Sequence, residues 1–294
     1  MHYAIDFMTL LHSEKSQHPF RQLKNLRYIE ITNQNLNRMK TFCPLFLITF
    51  CLMMTSTPTF SQTETPVTIR VLSHDAKFIG TSMGGVEIMI RDISTGETLA
   101  SGTTSGGTGD TDLLVLNKKS RYGEISTPES AAFRAILSLT KPVFAEIKAS
   151  FRTPYAGHPI VQSQTQWLIP GKEMTGDGII LEMPGFATRI LHPLPHQAIT
   201  SREDAYIDFF MIMLCGCPIS SGGTWDSDPM DVEALIYEGE ELLRSIPLKN
   251  YKTDYFRADL TNLAPGSYTV YVTAYDPRSM NTGVEKVTVT IDYE

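Results

Sequence analysis

Apolar and polar residues alternate with a period of two along much of the chain. Val67, Ile69 and Val71 share one face of a run in which Thr68 and Arg70 take the other. Val86, Ile88 and Ile90 repeat the pattern against Glu87, Met89 and Arg91. Such alternation predicts strands with one buried face. Residues 92–97 are turn-rich, and residues 98–103 follow as a returning strand. Further strands are expected at 143–151, 160–169, 179–183 and 188–191. Beyond them come 206–214, 231–237, 242–246, 255–260, 267–275 and 284–292. Residues 113–116 form a short apolar run. Helix signals gather at one place. Thr127, Pro128 and Glu129 offer an N-cap, a first-turn proline and an early acid, and Pro142 supplies a stop. A short helix is therefore expected over 128–139.

This pattern predicts an all-β protein, built as two antiparallel β-sandwich domains with one short helix in the first. His192-Pro193-Leu194-Pro195-His196 is the expected boundary, because prolines this dense favour a stiff, extended spacer. The domains are then 62–191 and 197–294, each of about the 100 residues that a β-sandwich needs. With 20 Gly and 17 Pro the chain suits many turns and excludes a helical bundle. Charged residues at 19% and hydrophobic residues at 42% exclude a wholly disordered chain. The net charge of −7 leaves no basic footprint for nucleic acid.

The first 61 residues read separately. Residues 42–54, FCPLFLITFCLMM, are too short to span a bilayer, which takes about 20 residues. They have the length of the apolar core of a secretion signal, with Arg38 and Lys40 just before it. Thr59 and Ser61 place small residues at the −3 and −1 positions of a cut before Gln62. Residues 39–61 are thus expected to be a signal peptide and residues 1–38 an upstream extension. The alternative is a short tail on a signal anchor. Residues 62–294 hold 19 Lys/Arg against 29 Asp/Glu, an acidic balance that repels nucleic acid and anionic lipid. No mature transmembrane segment is expected. Only Cys215 and Cys217 stay with the exported chain, so a disulfide framework does not hold this fold together.

Two stretches resemble known families. Gly85-Val86-Glu87-Ile88, Asp92, Thr95-Gly96-Glu97-Thr98-Leu99 and Gly102-Thr103-Thr104 resemble the opening hairpin of transthyretin-like, carboxypeptidase-regulatory-type domains. Leu263-Ala264-Pro265-Gly266-Ser267-Tyr268-Thr269-Val270 is similar to the late hairpin of bacterial immunoglobulin-like domains, with Asn281-Thr282-Gly283 as its last loop. The resemblance implies binding and spacer modules, although a fold does not give a function.

Four segments carry candidate chemistry. Gly80-Thr81-Ser82-Met83-Gly84 has the spacing of a nucleophile elbow, but that elbow follows a strand and opens a helix, and a strand follows here. Gly106-Gly107-Thr108-Gly109-Asp110 approaches a calcium-binding repeat in a single copy, and a plain turn is the simpler reading. Met211, Met213, Cys215 and Cys217 fall on one face of an extended strand. Thioether and thiolate suit Cu(I), and His192 and His196 precede this strand, so these six residues form a candidate soft-metal site. Phe210, Ile212 and Leu214 make the opposite face apolar as well, which also fits a strand covered on both sides. The two cysteines read equally as metal ligands, a strained disulfide or buried thiols. In an extended strand their Cα atoms stand about 6.6 Å apart, and Gly216 can supply a bend that closes the pair. Trp225, with Asp226 and Asp228, is a candidate ligand-binding loop or a plug over the end of the sandwich.

The reading that follows is an exported, non-catalytic binding or scaffolding protein of the cell envelope, periplasmic or extracellular. Its partner is an envelope protein or a small ligand. The alternative is a copper-binding protein using the Met211/Met213/Cys215/Cys217 strand.

Overall fold

The computed structural model describes residues 62–155 and 158–293. The expected extension and signal peptide lie outside the described residues. Eighteen strands carry the fold. The first seven are β1 (Thr63–Ser73), β2 (Glu87–Asp92), β3 (Thr98–Thr103), β4 (Phe133–Leu139), β5 (Val143–Phe151), β6 (Ile160–Leu168) and β7 (Met174–Met183). Then come β8 (Phe186–His192), β9 (Gln197–Ile199), β10 (Tyr206–Met213), β11 (Ile219–Ser220), β12 (Trp225–Asp226) and β13 (Asp231–Glu238). The last are β14 (Glu241–Pro247), β15 (Lys249–Lys252), β16 (Tyr255–Asp259), β17 (Gly266–Tyr275) and β18 (Thr282–Ile291).

Sheets β4-β1-β7 and β3-β2-β5-β6 face each other as the first sandwich. Val67, Ile69 and Val71 pack there against Ile88, Ile90, Ile147 and Phe151, as the alternation predicts. Sheets β15-β16-β10-β8 and β14-β13-β17-β18-β9 form the second. Phe209, Met211 and Phe256 meet Val270, Val272 and Val289 in its core. Pairing is antiparallel except between β1 and β7, β18 and β9, and β11 and β12. The β2–β3 hairpin forms across residues 92–97 as expected, and β17–β18 pairs in continuous register from Gly266–Ile291 to Tyr275–Thr282.

Two expectations need correction. The first is the helix at 128–139, which is absent. Thr127 and Ser130 close a turn instead: Ser130 N–H donates to Thr127 O at 3.0 Å, and Thr127 N–H donates to Ser130 Oγ at 2.9 Å. The polar residues that suit an N-cap serve a turn equally well. Residues 133–139 then run as β4, antiparallel to β1, with Leu137 and Leu139 buried and Arg134, Ile136 and Ser138 exposed. Short helical turns lie elsewhere, at Thr81–Met83 and Asp112–Leu116.

The second correction concerns the boundary. β8 was expected to end the first sandwich, but it pairs along its length with β10 of the second. The chain therefore changes sandwich at Pro184-Gly185, where the Gly185 N–H donates to Asn281 Oδ1 at 2.7 Å. His192–His196 is a crossing inside the second sandwich, with a cis bond before Pro193.

The halves also share a seam. β10 buries Met211 and Met213 in its own sandwich, while Ile212 on its other face, and Leu214 just past its end, enter the core of the first. The strand is thus covered on both sides, which is why both of its faces read as apolar. The outer face of sheet β4-β1-β7 is covered by residues 104–132, and Leu72, Phe78, Leu114 and Ala131 make a small third core there.

A cationic groove between the sandwiches

The sulfur row does converge in the second core, where Met211, Met213, Cys215 and Cys217 are each under 5% exposed. Strand structure ends at Met213, however, and Gly216, with φ of +78°, turns the chain back. The turn brings the Cα atoms of Cys215 and Cys217 to 5.4 Å, and the sulfurs are bonded as a disulfide. Of the three readings of this pair, the structure adopts the disulfide, so neither sulfur stands as a free thiolate. The histidines serve other ends. His192 bonds to Asp204 O at 2.8 Å and stacks on Tyr206 at 4.3 Å. His196 sits in the left-handed region, its N–H donating to Thr288 O. Among the described residues no cluster of three or more His, Cys, Asp or Glu could hold a metal.

Trp225 is the plug rather than an open platform. It is 8% exposed within the second core, and its indole N–H donates to Asp75 O at 2.9 Å, which ties the sandwiches together. Asp226 is used locally: its carboxylate accepts the N–H groups of Asp228 and Gly222, and these bonds hold its pKa below the usual carboxylate value. Among the described residues Asp228 contributes that N–H alone. Ser82 lies on the exposed helical turn at 81–83, with β2 following, not on an elbow. Asp110 caps the turn at 112–116, accepting the Leu113 N–H at 3.0 Å.

One concavity lies where residues 152–155, after β5 of the first sandwich, meet β8 and β18 of the second. It measures about 480 Å³, inside the range of small-ligand sites and at a junction of the kind where such sites form. Arg152 enters from the end of β5. Arg189 comes from β8, opposite Phe210 of β10, and Lys286 comes from β18, opposite Tyr271. Tyr155 forms one wall, its ring 4.8 Å from that of Phe210, and Pro193, Leu194 and Pro195 form another. Among the described residues neither Arg152 nor Arg189 makes a hydrogen bond or a salt bridge. Elsewhere Arg91, Arg257 and Arg278 are each held by a carboxylate.

One acid shares the groove. Glu285 is half-buried and accepts the Thr188 hydroxyl at 3.3 Å. Burial pushes its pKa above the usual glutamate value, against the opposing pull of Thr188, His158 and Arg189. The groove therefore offers two arginines and one weakened carboxylate, beside a lysine whose ammonium lies over the Tyr271 ring at 5.2 Å, in a chain that is acidic overall. Sequence reading did not find it, because residues 152, 189 and 286 come from separate strands. Its one local trace is the proline-rich stretch, whose Pro193, Leu194 and Pro195 line the groove instead of spacing two domains.

A second surface escaped notice on the outer face of sheet β15-β16-β10-β8. The Arg257 guanidinium lies between the rings of Tyr206, at 4.4 Å, and Tyr251, at 4.7 Å, and is paired with Asp208. Both ring faces are thus taken by a cation that is itself neutralised. Alternate aromatic and charged residues at 206, 208, 255 and 257 carry this arrangement in the sequence.

No family profile and no curated relative matches the chain. Among solved structures, an engineered protein aligns at 16% identity and a TM-score of 0.27, over 42% of this chain and 24% of its own. The fibronectin(III)-like modules of Clostridium thermocellum CbhA align at 9% identity and a TM-score of 0.23, over 77% and 91%. Likeness at these scores carries no argument, and the all-β architecture rests on the strand pairing described above.

Proposed function

We propose that this protein is an exported, non-catalytic binding module of the cell envelope that holds an anionic group in the groove between its sandwiches. One observation carries the reading: Arg152 and Arg189 line the groove, and among the described residues neither guanidinium is held by a hydrogen bond or a salt bridge, with only the weakened Glu285 beside Arg189. Leaving guanidinium groups unpaired in a concave site favours a planar or tetrahedral oxyanion, which arginine binds through parallel hydrogen bonds. The prolines and Tyr155 supply apolar walls that order little on binding. Guanidinium groups beside rigid apolar walls are the chemistry of a binding site, which supports the non-catalytic reading. The Cys215–Cys217 disulfide supports export, because such bonds persist in oxidising compartments.

Calorimetric titration with inorganic sulfate tests the binding. The intact protein should bind it saturably, and Arg152→Gln with Arg189→Gln should weaken binding at least about tenfold, given about 1.5–3 kcal/mol for a hydrogen bond to a charged group. Unchanged affinity in that variant would reject the groove. N-terminal sequencing of native protein tests export: the chain should begin at Gln62 or within a few residues of it, and an intact Met1 start would overturn that part.

A further inference from the structure

The edges of the sheets are treated unequally. A bare edge strand is a template for another chain, and proteins blunt it with charge, proline, bulges, brevity or a cover. β14 carries Glu241, Arg244 and Pro247, and β15 carries Lys249 and Lys252. β9 has three residues. β7 is broken by a register shift and by Gly176 and Gly178 at positive φ. β3 is short, and the Phe133 ring of β4 stands where a Cβ on its Gly102 would fall. β6 has none of these devices. It is nine residues long, Ile-Val-Gln-Ser-Gln-Thr-Gln-Trp-Leu, with no charge, proline or glycine. It pairs with β5 on one side in unbroken register, and among the described residues no strand pairs with its other side.

The same strand is symmetric in chemistry about Gln164. Reversal places Gln162 against Gln166, Ser163 against Thr165, Val161 against Trp167 and Ile160 against Leu168. We infer that β6 pairs with β6 of a second copy of this chain, antiparallel about a two-fold axis at Gln164, joining the two four-stranded sheets into one of eight strands. A closed two-fold contact is self-complementary by construction, and here every residue meets its own kind. Glutamine has both donors and acceptors, so Gln opposite Gln is satisfied. Side-chain parity is kept, so the exposed face of one sheet continues as the exposed face of the other. On that face Trp167, 56% exposed and in tilted contact with the Phe144 ring at 5.1 Å, gains Val161, 47% exposed, from the second copy. An aromatic residue opposite a β-branched one is a favourable cross-strand pair. This inference does not rest on the groove, whose lining includes residues 152–155 before β6 but no residue of β6 itself.

Sedimentation of the full protein over a concentration series reads the outcome. The mass should be that of two chains, and a wild-type protein that stays monomeric throughout would overturn the inference. Ser163 and Thr165 are exposed, so charges there leave the fold intact. Ser163→Lys with Thr165→Lys sets lysine opposite lysine twice, and dimerisation should weaken at least about tenfold. Ser163→Glu with Thr165→Glu should do the same. Mixing the two variants sets lysine against glutamate and should restore a dimer holding one chain of each. Undiminished dimerisation of either variant alone, or a mixture that fails to pair, would place the contact elsewhere.

Discussion

At the scale of single residues, environment assigns roles that residue type leaves open. Glu285 is the clearest case. Its folded pKa is raised by burial, so its charge is lost as pH falls from neutral through that raised value. While ionised it competes for Arg189 with any bound anion. Sulfate does not titrate in this range, so its affinity should rise as pH is lowered from 7 towards 5. His158 also faces Glu285. Glu285→Gln should raise affinity at pH 7 and flatten the dependence. An unchanged pH profile in that variant would overturn the role given to Glu285. The sulfur row makes the opposite point. Its residues are gathered as the alternation predicted, but the bend at Gly216 spends both thiols on each other. With the disulfide intact, verified by thiol titration, a Cu(I) competition assay should find no binding tighter than in the Cys215→Ser/Cys217→Ser variant. That variant should lose about 1–2 kcal/mol for the small closed loop, plus about 1–3 kcal/mol for each hydroxyl left buried and unsatisfied. Tight Cu(I) binding by the oxidised protein would revive the metal reading.

At the scale of elements, strands with one wet face were legible because alternation reports burial directly. β2, β5, β13, β17 and β18 lie within a residue or two of their expected places. The helix at 128–139 failed for a physical reason. Thr, Pro and Glu mark a turn as readily as an N-cap, whereas Phe133, Ala135, Leu137 and Leu139 keep the period of a strand. Without β4, β1 would lose its antiparallel partner from Thr63 to Ile69. The groove was illegible for another reason: only long-range pairing brings β8 beside β10 and β18. The same pairing predicts which fragment folds. A chain of residues 197–294 lacks β8 and leaves one side of β10 without its hydrogen bonds. It should give no cooperative melt, while residues 185–294, with β8 restored, should give one with a β-type circular dichroism spectrum. A cooperative melt from the shorter fragment would return the boundary to the His192–His196 crossing.

At the scale of the whole molecule, the seam decides whether the sandwiches behave as one body. Ile212 and Leu214 belong by sequence to the second sandwich and by packing to the core of the first. Around them the contact is polar and specific. Trp225 reaches Asp75 O, Asn281 bridges His74 O and the Gly185 N–H, and His74 bonds both Glu182, at 2.6 Å, and Ser279 O. The Cys-Gly-Cys turn also abuts the first half, for a Cβ at Gly216 would meet Met83 Sδ at 3.1 Å. A junction with a buried apolar centre and a hydrogen-bonded rim resembles a domain core more than the loose contact of tethered modules. Unfolding should accordingly be a single calorimetric transition for both sandwiches. Leu214→Ala should cost what a core truncation costs, about 2–5 kcal/mol, and should lower that one transition without splitting it. Ile69→Ala in the first core and Val270→Ala in the second should shift the same peak, since neither half can unfold without exposing the seam. Two resolved transitions in the wild type, each moved by only one of these substitutions, would mean that the seam is a contact between independent bodies, and that the groove beside it opens and closes with their motion.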